Sequence, residues 1–456
     1  MPLPASGQLV MELIRAMLRN FRKNFNFHPG DPTAGSGTRV VEVGLDYGLS
    51  GKFLCDFDAS RVVALHNAPP PSAGLTEEIR KALEHPLDFP PLEQLCIPGD
   101  HVVLALDRHT PQAPEMISEI WRVLERRGVG ADTIQILQPV ALETAPLPDP
   151  RTLLPPEVRS QIRWTIHDPT DEKKQAYLAT TARGERIYLD RECTDADVVI
   201  SVGSIAYDSV LGHRGTNSVF YPGLSTIDSI SRARGEGHSE LGPDDERPLR
   251  QTIDEVAWLL GTQFTVQVIP AGGSAAATVL AGAYEPVFRQ GKKILEEMWQ
   301  VRLPERAETI VVAIDADSAG HGWDQVGAAL ATARNLVVKG GRVIVLTELE
   351  GETGDGLNLI RQSRSPRNAL QPIRKQAPLD MIPATQLATI ADWAHLYLVS
   401  KLPADVVDEL FMSPLDNVRE VERLVNQSSR CVFIGSAQHC WGEVVPETRS
   451  PIQKSR

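Results

Sequence analysis

The chain has 456 residues, 42% hydrophobic and 23% charged, with 46 basic against 59 acidic side chains and a formal net charge of −13. That length exceeds one typical core and sets two domains as the expectation, while the acidic balance argues against nucleic acid or an anionic lipid surface as a partner. Five scattered cysteines (Cys55, Cys96, Cys193, Cys431, Cys440) form no CxxC pair, which excludes a zinc ribbon or a disulfide framework and fits a reducing, cytoplasmic compartment.

No run of 18 apolar residues is present, so no membrane span is expected, and Met1–Gly7 lacks the basic region and apolar core of a secretory signal. From Leu9 to Phe25, Met11, Ile14, Met17, Leu18, Phe21 and Phe25 recur at helical spacing with Arg15, Arg19, Arg22 and Lys23 between them. This predicts a basic amphipathic helix that packs on its own protein or a sister subunit, or else rests on a membrane surface or partner. Residues 26–38, rich in Gly and Pro, read as a linker. Arg39–Val43 and Arg61–Leu65 suggest strands and Leu75–Leu83 a helix. Val102–Leu106 is a continuous apolar run, as a strand buried on both faces would be. Glu115–Arg126 has helical periodicity, and Thr133–Leu137 and Asp197–Val202 are further buried strands, which together predict right-handed parallel crossovers.

Asp244–Leu260 reads as an amphipathic helix, Phe264–Ile269 and Ala277–Ala281 as paired strands, and Glu285–Arg302 as a long bridging helix. The second half repeats the pattern with strands Thr309–Ile314, Arg342–Leu346, His395–Ser400 and Arg430–Ile434, and helices Gln325–Val338, Ala404–Leu410 and Asn417–Val425. The expected class is α/β: two doubly wound α/β domains with a cleft between them, after an N-terminal amphipathic helix. The expected boundaries are 1–38 (helix and linker), 39–284 (first domain), 285–302 (bridging helix), 303–446 (second domain) and 447–456 (tail). Ligands of such sheets sit outside the carboxyl ends of the strands.

Those strand ends hold the candidate residues. Asp107-Arg108-His109-Thr110-Pro111 could bind an anion or move a proton, or form only the N-cap of the next helix. The stretch Gly203–Asn217 carries His213-Arg214 between Gly212 and Gly215. The glycines would let backbone approach a ligand, and His with Arg suits a carboxylate or phosphate; the alternative is a solvated turn. Asp315–Gly322 is either an anion cradle or a plain strand-to-helix turn. His167-Asp168 reads as a structural pair, and no HExxH, GxSxG or zinc-ligand spacing is present. No metal site is expected from spacing.

Several stretches in one order resemble the nickel-pincer lactate racemases and related 2-hydroxyacid racemases and epimerases: "KALEHPLDFPPLEQLCIPGDHVVLALD" at Lys81–Asp107, Ile166-His167-Asp168 with Ala179–Gly184, Asp195–Gly203 with Tyr221-Pro222-Gly223, "LVVKGGRVIVLTELE" at Leu336–Glu350 and "LYLVSKL" at Leu396–Leu402. The resemblance implies an isomerase in which a nickel ion on a pyridinium nucleotide pincer takes a hydride from the substrate while two histidines exchange its hydroxyl proton. It also implies where this chain departs. Against the family's D-x-T-R-P, the arginine position is Thr110, with Arg108 as a substitute. The G-T-H-R loop falls on Val140-Ala141-Leu142-Glu143. Within Tyr207–Ser218 the second acid–base histidine becomes Asp208 and the pincer lysine Ser218, while Gly212 and Gly215 agree. The nickel histidine falls near Ser231, and Asp324–Thr332 loses its polar and basic members.

Three functional expectations follow. One is a diverged activity on a small hydroxyacid or carboxylate, with Asp107, His109, Asp208 and His213 as catalytic groups and Arg108, Thr110, Arg214, Gly212, Gly215 and Ser218 around the substrate. His238 is a further histidine near the altered loops. The second is a non-catalytic protein that binds a ligand or partner. The third is ordinary nickel-pincer racemisation, which the substitutions oppose. A homo-oligomer is a possible assembly, and the sequence does not fix the oligomeric state.

Overall fold

The computed structural model describes residues 40–108, 110–140, 147–235, 241–318 and 320–446. The N-terminal helix read from the sequence, His109, Ala141 to Glu143, His238 and the tail lie outside them. The described chain forms two compact units, one of residues 69–298 with 317–320 and one of residues 40–68, 299–316 and 321–446.

The first unit is built on a six-stranded sheet in the order Ala276–Gly282, Phe264–Pro270, Val198–Ser204, Val102–Leu106, Ile134–Gln138, Arg163–Ile166. All neighbours are parallel except the first pair. Successive side chains of a strand point to opposite faces, and both faces here are covered. Leu104, Leu106, Ile136, Ile200, Val202 and Val266 pack with residues of the helices Leu75–Glu84 and Ala113–Arg126. Val103, Ala105 and Leu137 pack with Phe220, Leu224 and Ala257. This double burial is why the strands read as unbroken apolar runs. The helix Ala113–Arg126 buries Met116, Ile117, Ile120, Val123 and Leu124 along one stripe, the spacing its periodicity required.

The second unit is also α/β. Its six strands run parallel in the order Met412–Leu415, His395–Val399, Val337–Leu346, Ala307–Ala313, Cys431–Ile434, Val62–His66. A hairpin of Val40–Tyr47 and Gly51–Asp58 lays Val43, Leu45, Phe53 and Phe57 against Val311, Ala313, Ile344 and Phe433. Two expected boundaries are therefore corrected. Residues 40–68 belong with the second unit, because Val62–His66 bonds along Cys431–Ile434. The bridging helix ends at Trp299, where the strand Gln300–Leu303 begins and pairs with Trp441–Val444. The helix expected from Asp244 starts at Pro248, since a proline fits the first helical position and not the interior.

All five cysteines are free, and four are buried. Burial pushes the Cys96 thiol up to about 12 and that of Cys55 up to about 11. Thiols so held carry little thiolate and pack as small apolar groups. Among the described residues, no helix is long and apolar enough to cross a membrane.

Candidate functional site

In the first unit the parallel strands end on one edge, and the loop after Leu106 is locked there by its own bonds. The Asp107 N–H donates to the Val202 carbonyl at 2.8 Å, extending the ladder by one residue. Asp107 Oδ1 accepts the Arg108 N–H at 2.8 Å, and the Thr110 hydroxyl donates to the Asp107 carbonyl at 2.7 Å. Thr110 is therefore spent on the turn, and the N-cap alternative is corrected: the helix Ala113–Arg126 has Gln112 at its N-cap with no side-chain cap bond, and Thr110 donates to a carbonyl instead of accepting an N–H.

Strand register carries this position sideways. Ala105 pairs with Ser201, so Asp107 falls beside Gly203, which in turn pairs with Gln267. A Cβ on Gly203 would lie 3.3 Å from Asp107 Cβ and 3.2 Å from Gln267 Oε1. Glycine thus keeps the carboxylate and the amide close across one backbone. Behind them the hydroxyls of Ser201 and Thr265 bond at 2.7 Å, and Gln267 Nε2 donates to Thr265 Oγ1 at 2.8 Å. Gln267 is 1% exposed, and its Oε1 has no donor. A buried amide oxygen left this way costs about 1–3 kcal/mol of desolvation.

One arginine side chain reaches Asp107. Arg214 Nη1 lies 3.4 Å from Asp107 Oδ2, with both side chains about four-fifths buried. Arg108 follows it in the chain and sends Nη1 to the Val140 carbonyl at 2.9 Å.

The stretch read as a glycine-rich turn is a small hairpin, Ala206–Asp208 against Gly212–Arg214. This separates residues that the sequence set together. His213 and Arg214 are adjacent on a strand and point to opposite sides, so they do not converge on one ligand group. His213 is 2% exposed, with its ring 5.2 Å from that of Tyr207. Burial, with the Lys292 charge nearby, pulls its pKa down to about 4. Asp208 closes the hairpin, its Oδ1 accepting the N–H groups of Val210 and Leu211 at 2.8 and 2.7 Å.

Gly212 (φ +75°) and Gly215 (φ +115°) are approached by the protein itself and not by a ligand. A Cβ on Gly212 would stand 2.2 Å from the Pro243 carbonyl oxygen, and one on Gly215 would stand 3.0 Å from that of Ser204. Ser218 accepts the Gly215 N–H on its hydroxyl at 2.9 Å. Ser231 is exposed on the helix Ile227–Gly235.

His167 pairs with Asp190 rather than with Asp168. Its Nδ1 is 2.7 Å from Asp190 Oδ2 and its Nε2 is 2.8 Å from the Ser225 carbonyl oxygen, all buried. In the second unit the stretch from Asp315 is self-bonded. The Asp315 carboxylate accepts from Ser436 Oγ at 2.9 Å and Gln438 Nε2 at 2.7 Å, while His321 Nε2 accepts the Glu348 N–H at 3.0 Å. Gln325 Oε1 accepts the Gly322 N–H at 2.9 Å, closing the turn before the helix Trp323–Leu336. A turn headed by a carboxylate is a poor anion cradle, which favours the plain-turn alternative.

Sequence reasoning missed Gln267, Arg247 and Arg250. Arg247, 5% exposed, donates to the carbonyls of Val210 and Gly242 at 3.1 and 3.0 Å. Arg250 lies 4.0 Å over the Phe288 ring and 3.2 Å from Asp254 Oδ1. No spacing signal marks such residues, because their partners come from other elements.

The family model for the lactate racemase N-terminal domain matches residues 47–237, which span the Asp107 loop and the 206–214 hairpin. The lactate racemase of Thermoanaerobacterium thermosaccharolyticum is 19% identical over 417 residues, 86% of this chain and 96% of that protein. The structure of the lactate racemase apoprotein from that organism superposes with a TM-score of 0.70 at 17% identity, over 88% of this chain and 100% of that one. A crystal structure from Thermotoga maritima gives 0.62 at 12% identity, over 82% and 100%. At these identities the two structures speak for the fold, and the domain match covers residues 47–237. Residues 47–237 thus match the lactate racemase N-terminal domain, and over most of its length the chain is similar to lactate racemase.

Proposed function

We propose that the chain binds a small hydroxyacid or other small carboxylate at the Asp107 edge of the first sheet, and that its activity there has diverged from nickel-pincer racemisation. The observation that carries this is the Arg214–Asp107 pair beside Arg108 and the unsatisfied amide oxygen of Gln267. A ligand carboxylate would replace Asp107 on the Arg214 guanidinium, whose planar fork suits it. A ligand hydroxyl would donate to the Gln267 Oε1 that the fold leaves without a donor. Asp107 orients Arg214 in the absence of ligand. His109, two positions after Asp107 in the sequence and its remaining acid–base candidate, lies outside the described residues.

The nickel-pincer nucleotide does not fit the residues present. Ser218 cannot make the covalent link of a lysine, and its hydroxyl is engaged by Gly215. Ser231, exposed on its helix, is a poor substitute for a histidine ligand.

The test is calorimetric titration of a 2-hydroxyacid panel, with chiral chromatography of each acid after incubation. Binding that weakens tenfold or more in Arg214→Met is expected, as for loss of a charge-assisted hydrogen bond of about 1.5–3 kcal/mol. Binding unchanged in that variant would sink the site. A second reading, a binding protein without turnover, is favoured by Asp208, Thr110 and Ser218 all being spent on backbone groups. It predicts the same loss of binding with no change in chirality for any acid.

A further inference from the structure

Away from the Asp107 edge, a second cluster of the first unit brings His213, Asp244 and Glu296 together from three elements. A ring nitrogen of His213, a carboxylate oxygen of Asp244 and one of Glu296 lie within 4.8 Å of one another. His213 comes from the hairpin strand Gly212–Arg214 and Asp244 from the turn that precedes Pro248. Glu296 comes from the helix Tyr284–Trp299, where Phe288, Lys292 and Glu296 fall one turn apart along a single stripe. We propose that these three side chains form a binding site for a divalent transition-metal cation of the zinc type.

The imidazole is prepared for this role. Its Nδ1 lies 3.1 Å from the Pro243 carbonyl oxygen and 4.0 Å from Asp244 Oδ1, and a carbonyl only accepts, so that nitrogen carries the proton. The other nitrogen, Nε2, then holds a lone pair, and it is buried with no hydrogen-bond partner. A histidine whose second N–H is held by a backbone carbonyl is the usual state of a metal-bound imidazole. One imidazole with two carboxylates is a donor set that suits zinc, cobalt or manganese rather than magnesium or calcium.

The spacing asks for a modest adjustment. Ligands about 2.1 Å from a shared ion stand roughly 3.4 Å apart in a tetrahedron. Asp244, whose side chain is 61% exposed, has room to close the difference. Lys292 already places a positive charge here, its Nζ 2.8 Å from Asp244 Oδ1. A metal ion would compete with that ammonium or share the carboxylate through its second oxygen. Arg250 and Lys292 both lie over the Phe288 ring, and Arg250 is paired with Asp254. The lysine is thus the brake on affinity. None of the three proposed ligands stands where the family resemblance places nickel, at Ser231, and the site is independent of the Asp107 reading.

The experiment uses the full chain, stripped of metal with a chelator and titrated with cobalt(II), whose visible absorption reports nitrogen and oxygen coordination. One saturable ion per chain is expected. Affinity should fall tenfold or more in Glu296→Gln and in Asp244→Asn, both changes at solvent-accessible side chains that leave the buried core intact. It should rise severalfold in Lys292→Met, which removes the competing charge. No saturable cobalt spectrum up to millimolar metal would overturn the proposal, as would an affinity equal to wild type in both carboxylate variants.

Discussion

Arg214 and Asp107 lie 107 positions apart in sequence and 3.4 Å apart in the fold. That pair is the basis for the arginine test above, and Ser218 provides its control. Ser218 stands where the family resemblance implies a lysine, yet its hydroxyl serves a backbone N–H. Ser218→Ala should lower unfolding stability by about 1 kcal/mol and leave hydroxyacid binding unchanged; loss of binding with stability intact would mean the serine touches ligand. The residue scale was only partly legible. The Asp107 loop was identifiable because it follows an apolar run that can only be a buried strand. Pairing His213 with Arg214 was misleading, because a strand turns neighbouring side chains to opposite sides and the sequence of that stretch reads as loop. Gln267 lies inside an apolar strand and becomes notable only through its register with Gly203.

At the scale of elements, the 206–214 hairpin depends on a backbone conformation that only glycine adopts without strain. Gly212→Ala would combine a positive φ with a Cβ placed 2.2 Å from the Pro243 carbonyl oxygen. A loss of at least about 2 kcal/mol is expected, measured as a shift of the denaturant midpoint; a neutral result would mean the hairpin is not packed as described. The edge strand Val62–His66 can be tested in the same way. Ala64 faces Val432 across a parallel ladder, and a proline there removes a donor and stiffens the chain. Ala64→Pro should lower amide protection along Cys431–Ile434 in hydrogen exchange, and unchanged protection would place the strand elsewhere. Strands with unbroken apolar runs, such as Val102–Leu106, were found in the sequence to the residue. Met412–Leu415, with Ser413 and Pro414 inside it, was not, since an edge strand needs fewer apolar side chains and tolerates proline.

For the whole molecule, buried histidines make stability depend on pH. Burial holds His66 down to about 4, and its Nε2 is buried with no partner. Between about pH 4 and the ordinary histidine value near 6.5, the unfolded chain takes up a proton that the folded chain refuses. This contribution is therefore complete above about pH 6.5 and is lost as pH falls toward 4, by at most about 3 kcal/mol. Urea unfolding at pH 7.5 and 4.5 should show a smaller difference in His66→Phe than in wild type; an equal difference would assign the pH dependence to other groups. The α/β class, the parallel crossovers and the resemblance to lactate racemases were determined by the sequence, because periodicity and the order of short motifs are local properties that survive without coordinates. Which sheet Val62–His66 joins, which side chain meets Asp107, and that His213 turns away from Arg214 toward Asp244 were decided only by the tertiary structure. The reason is the same in each instance: hydrogen-bond register and strand parity bring together residues distant in the chain, and neither leaves a mark in local composition.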